Sequence, residues 1–331
     1  MNKPKYLLSL STILFAILSA PEINAKKLYK YQDEKGIWHF SDKQPETDLK
    51  VEVRQMKVAK KKWVWIETEG PKTEPDFYVQ NTFYGPIELK VSLHAQNNVR
   101  TSPPLPERFI IYPGKSAKLF EIRPVNPFQS WGYGLQYSYV IGDPKSKHDF
   151  SHLYLPPIAP GAAFQVTQGF NGSFSHHDEQ NKYAIDIAMP IGTPIHAARS
   201  GVVMKVENDF FKGGTDNKAY LSRANSIRIL HDDGSMAIYA HLELEKAQVY
   251  PGQRVQTGQL IAYSGNTGFT SGPHLHFSVQ VNKGMKLASV PFKFADEDGK
   301  KGPSIGSWLT GVNPAIMQGA SHEISGFQKP Q

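Results

Sequence analysis

The chain contains no cysteine in its 331 residues. Disulfides and a lipoprotein acylation site are therefore excluded together. The sequence also has no internal repeat, no low-complexity tract and no glycine-rich phosphate loop of the usual forms. Its N-terminal apolar stretch, Tyr6 to about Leu18, is shorter than the roughly 20 residues that a spanning helix requires. That stretch follows Lys3 and Lys5 and leads to Ile23-Asn24-Ala25, which ends in a small residue. Residues 1–25 are therefore read as a cleaved signal peptide, and no stable membrane span is expected.

What is present is mostly strand signal. The length exceeds the usual size of a single hydrophobic core, so more than one domain is expected. Residues 26–55 read as a small β domain, with strands at Leu28–Gln32 and Ile37–Phe40 around an Asp-Glu-Lys-Gly turn. Residues 60–150 carry successive alternating segments, among them WVWIET, FYVQNTF, IELKVSLHA, RFIIYPG and YGLQYSYVI. Period-two alternation without an amphipathic helix points to a β-sandwich-like module, with Trp63, Trp65, Tyr84 and Tyr112 read as core. The proline-rich run from Leu155 to Gly161 reads as the link to a third domain, 156–320, because proline lacks an amide donor. The fold class expected is mostly β, with an antiparallel sheet in the third domain.

The chemistry concentrates between Ser175 and Phe277. In GPHLHF, His274 and His276 lie two residues apart, so on a strand both imidazoles project from one face. In YAIDIAM the same alternation places Asp186 between Ala184 and Ala188, which leaves room for an ion. Zinc in hydrolytic sites takes three nitrogen or oxygen ligands and keeps a position for water. His176, Asp186 and His276 can supply such a set. His241, in IYAHL, and His274 then remain as candidates for positioning water, moving its proton and stabilising an oxyanion. The other histidines, His39, His94, His148, His152, His196, His231 and His322, read as solvated or core residues.

Together with YAIDIAMPIGTPIHAARSGVV, IYAHL, GQRVQTGQLIAYSGNTG and GPHLHF, these residues resemble the lysostaphin-like zinc metallopeptidases, which cut cross-links of peptidoglycan. The resemblance covers roughly 156–314. It implies one zinc ion held by His176, Asp186 and His276, with His241 and His274 as the catalytic pair. The best-known members place the first histidine four residues before the aspartate; here the separation is ten. A Gram-negative branch shows this longer spacing, with Ser-His followed later by Tyr-Ala-x-Asp. His177 competes for the first ligand position, and His176 is preferred because it follows Ser175. Residues 177–182 would suit a hairpin turn between two ligand-bearing strands.

The resemblance implies a periplasmic endopeptidase acting on peptidoglycan stem peptides, with the D-alanyl-diaminopimelate bond as the favoured target. The formal net charge of +7 suits an acidic polymer, but charge alone does not choose between stem carboxylates and phosphates. No nucleic-acid partner is expected. The N-terminal modules are candidates for docking an envelope protein. The alternative reading is a noncatalytic regulator of murein hydrolases with the same fold.

Overall fold

The computed structural model describes residues 26–34, 36, 38–41, 44–56, 61–216, 220, 223–295 and 304–315. The signal-peptide segment 1–25 lies outside them. Among the described residues, no helix is long and apolar enough to cross a membrane. Two compact units divide the chain, 1–61 and 62–331.

The first unit holds a three-stranded sheet in the order Trp38–Ser41, Lys26–Gln32, Glu52–Met56. Gly36 turns the expected hairpin with a φ of 77°, and its amide bonds the Asp33 carbonyl at 2.9 Å. Glycine suits this position because a side chain disfavours positive φ. The third strand, EVRQM, is too polar to announce itself by alternation.

In the second unit, residues 62–141 form two antiparallel sheets. One runs Val64–Glu69, Asp76–Asn81, Phe120–Pro124, Val99–Ser102, with Gly114–Lys115 also paired to Asp76–Asn81; the other runs Gly132–Ile141, Ile87–Asn97, Glu107–Ile111. Their inner faces share one core. Phe77, Val79, Phe120 and Ile122 from one sheet meet Ile87, Leu89, Val91 and Ile111 from the other. Tyr84 and Tyr112, expected in this core, are exposed instead; each lies beyond the end of a strand, where alternation no longer fixes the face.

Strands between residues 163 and 310 build a nine-stranded antiparallel sheet. Its order is Arg254–Val255, Gly201–Glu207, Ser226–Leu230, Met236–Ala240, His274–Asn282, Ile185–Ala188, Ala163–Gln168, Trp308–Thr310, with Leu287–Val290 also paired to His274–Asn282. One face is apolar and closes a large core. Phe277 is fully buried there, ringed by Tyr154, Tyr239, Phe292 and Phe294 at centroid distances of 5.1–6.4 Å. This aromatic packing backs the strand that carries His274 and His276 and fixes its position.

The sandwich packs onto the far end of that sheet. Met204 and Met236 are part of its core, and Asn282 Nδ2 donates to Glu88 Oε2 at 3.0 Å. His276 and Asn282 lie six residues apart on one strand, so about 20 Å of extended chain separates this contact from the histidines. The run from Leu155 to Ile158 is buried. The Leu155 amide bonds the Ala198 carbonyl at 2.8 Å, and Ile158 bridges to Ile195.

Candidate metal centre

Strand register assembles the first part of the site. Asp186 pairs directly with His276, and Ala188 with His274, so all four side chains lie on the sheet face opposite Phe277. On its other flank His276 pairs with Ala240. Ala188 and Ala240 are small, which keeps the space above the histidines open.

His176 reaches the same place from a turn, not from a strand. The His176 amide bonds the Gly172 carbonyl at 2.9 Å, and the Lys182 amide bonds the Asp178 carbonyl at 2.8 Å. The segment between His176 and Asp186 is thus folded on itself, unlike the hairpin expected between two ligand-bearing strands. His176 is fully buried, whereas His177 is exposed.

One ligand atom each from His176, Asp186 and His276 lies within 4.8 Å of the others. Asp186 Oδ1 is 3.2 Å from His176 Nε2, 3.0 Å from His276 Nδ1 and 3.7 Å from His274 Nε2. His176 Nδ1 is committed to the Gly169 carbonyl at 3.0 Å. Its Nε2 is buried and, despite the nearby carboxylate, has no hydrogen bond of proper geometry among the described residues. A buried nitrogen left unsatisfied is costly, and one carboxylate with two imidazoles is a donor set suited to zinc. The cluster therefore fits a metal cation.

Electrostatics agree. Burial pushes the Asp186 carboxyl up, but the close approach of the His176 and His276 imidazoles more than offsets it, and the group is held well below the usual carboxylate range. Burial also works against charge on His176, where the Asp186 contact prevails and raises its pKa. The site holds its carboxylate ionised and draws positive charge to it.

His241 and His274 stand beside this cluster with ring centroids 4.5 Å apart, and His241 lies 5.8 Å from His276. His241 follows the strand Met236–Ala240 with a φ of 63°, a left-handed conformation uncommon for a residue with a side chain. Its Nδ1 lies 2.6 Å from the Thr267 carbonyl, and His274 Nδ1 lies 2.8 Å from the Gly272 carbonyl. A carbonyl only accepts, so each bond places the proton on Nδ1 and leaves Nε2 with a lone pair. Burial, then the neighbouring imidazoles, pushes His241 down to about 3; burial likewise lowers His274. Both rings are neutral near pH 7. Buried Asn225 and Thr267 hold this corner, through Thr267 Oγ1 to the Leu242 carbonyl at 2.8 Å and the Asn225 amide to Thr267 Oγ1 at 3.2 Å.

The structure brings His176, Asp186, His241, His274 and His276 together, and leaves His177 outside. Sequence reasoning missed the carbonyls that fix the rings, which carry no side-chain signal. It also missed Gln168, a buried amide at the end of an alternating strand, which donates to Asp186 Oδ2 at 2.7 Å.

Residues 180–287 match the model of Peptidase family M23, a segment that contains Asp186, His241, His274 and His276, with His176 just ahead of it. The chain is 41% identical over 96 residues to the peptidoglycan DD-endopeptidase ShyA of Vibrio cholerae, covering 29% of this chain and 19% of that protein. It is 32% identical over 126 residues to lysostaphin of Staphylococcus simulans, covering 37% of this chain and 23% of that protein. Among solved structures, the catalytic domain of the prophage-encoded M23 protein EnpA from Enterococcus faecalis is 26% identical, with a TM-score of 0.30, covering 41% of this chain and 95% of that chain. The chain thus spans only about a fifth of the length of these two curated relatives. The part of the chain that carries the Asp186–His276 pair thus matches Peptidase family M23.

Proposed function

We propose that this protein is a periplasmic zinc-dependent endopeptidase that hydrolyses peptide cross-links of peptidoglycan. The observation that carries the reading is the convergence of three donor atoms from His176, Asp186 and His276 beside two neutral imidazoles. In this reading the three residues hold one zinc ion, and His241 and His274 are the catalytic pair. When bound, zinc supplies Lewis acidity that polarises a carbonyl and lowers the pKa of water.

The chain's own residues supply the rest. His241 and His274 accept at Nε2, because Nδ1 of each is bonded to a backbone carbonyl. A ring that takes a proton from water at Nε2 can return it to the leaving amine, as peptide hydrolysis requires. A protonated ring is also a donor placed to stabilise negative charge on the carbonyl oxygen. Side chains of Asp186, His274 and His276 keep 12–14% exposure, a narrow opening through which substrate can reach them.

The favoured substrate is the D-alanyl-diaminopimelate cross-link, in keeping with similarity to a DD-endopeptidase. The test is digestion of purified Gram-negative peptidoglycan with and without a zinc chelator, with products resolved by mass spectrometry. Chelator-sensitive loss of cross-linked dimers is expected. Intact dimers under all conditions would overturn the reading in favour of a noncatalytic role.

A further inference from the structure

We infer that Gln168 is the positioning residue that sets the spacing of the zinc ligands His176 and Asp186. The inference rests on the proposed metal site and adds a residue that touches neither metal nor substrate.

His176 and Asp186 come from different pieces of backbone, a turn and a strand; backbone hydrogen bonds such as Asn171 to the Lys182 carbonyl hold the turn, but none of them reaches the Asp186 side chain. Gln168, buried at the end of the strand Ala163–Gln168, bonds to both pieces with one amide. Its Nε2 donates to Asp186 Oδ2 at 2.7 Å and to Ser175 Oγ at 2.8 Å. Its Oε1 accepts from the amides of Phe174 and Ser175 at 3.1 and 3.2 Å, immediately before His176. The amide orientation follows from chemistry. Flipped, an oxygen would face a carboxylate and an NH2 group would face two N–H donors, so three of the four contacts would turn repulsive.

The consequence for Asp186 is a division of labour between its oxygens. Oδ2 is occupied by Gln168, which leaves Oδ1 turned toward His176 Nε2 and His276 Nδ1. A carboxylate free to rotate could offer either oxygen, or both, and a ligand so held loses less freedom on binding once one oxygen is fixed. The surroundings are shaped to this side chain. A Cβ at Gly172 would lie 2.3 Å from Gln168 Cγ, so the turn carrying His176 closes over Gln168 only because residue 172 is glycine.

The test compares the purified parent protein with Gln168→Met and Gln168→Glu. Zinc affinity is read by competition with a chromogenic chelator, and ligand geometry by the visible absorption of the cobalt-substituted protein. Both variants should bind zinc about 10–100-fold more weakly and show a shifted cobalt spectrum, the range typical of lost support behind a ligand. Ser175→Ala, which removes one acceptor and leaves the Asp186 bond, should bind zinc within about threefold of the parent, a change worth under 1 kcal/mol. If Gln168→Met fails to fold, Gln168→Glu keeps the volume and carries the same comparison. Parent-like affinity and spectrum in a folded Gln168 variant would overturn the positioning role alone. A parent that binds no zinc would overturn the metal site and this inference with it.

Discussion

Two histidines follow the two strands of one hairpin, at its opposite ends. His231 follows Ser226–Leu230 and His241 follows Met236–Ala240. Each has its Nδ1 bonded to a backbone carbonyl, Ser200 at 2.8 Å and Thr267 at 2.6 Å, so each carries a free Nε2. Burial lowers both, His231 to about 4 and His241 to about 3. The neighbours differ. His231 packs edge-on to Tyr154 at 5.8 Å and is 3% exposed, whereas His241 faces His274 and His276 and reaches solvent. The same residue type with the same fixed tautomer is core at one end and beside the donor cluster at the other. In the proposed mechanism, what separates the two is whether the ring lies beside the carboxylate-centred cluster.

The largest effect should come from dismantling that cluster. His276→Ala should abolish both zinc binding and cross-link cleavage, read by metal analysis and muropeptide chromatography. Next, His241→Ala should retain zinc and lose about 10²–10⁴-fold in turnover, the usual range for a positioned acid–base group. Loss of zinc in that variant would remove the distinction drawn between ligands and catalytic pair. His231 should leave turnover alone and govern stability instead. Its unfolded form takes up a proton near pH 6.5, while the folded form resists until about 4. Stability is thus complete above pH 6.5 and is lost as pH falls toward 4, by up to about 3 kcal/mol from this group. Denaturant unfolding across that window should show the slope, and His231→Asn should flatten it. The smallest effect belongs to the far end of the sheet. Glu88→Gln keeps an acceptor for Asn282 Nδ2 and the Met285 amide but loses the charge, and should cost about 1 kcal/mol with zinc affinity unchanged.

Much of this was legible in the sequence, and the reasons are local. His274 and His276 could be placed on one face because strand periodicity is a property of neighbouring residues. The alternation around Asp186 gave its face for the same reason, and the register that pairs it with His276 follows that pattern. His176 was a candidate from ligand chemistry, but only resemblance favoured it over His177, since it lies in a turn whose hydrogen bonds, not its spacing, bring it to Asp186. Gln168 left no signal, because a buried amide that joins a strand to a turn has no characteristic interval. Strands Val99–Ser102 and Glu52–Met56 escaped because their polar residues do not alternate with apolar ones.

The most direct test is a zinc titration of the metal-stripped protein with a purified cross-linked muropeptide dimer as substrate. The stripped protein should be inactive, and cleavage should rise to its maximum at one equivalent of zinc, with monomer products identified by mass. Cleavage without zinc, or a fully zinc-loaded protein that leaves the dimer intact, would contradict the account.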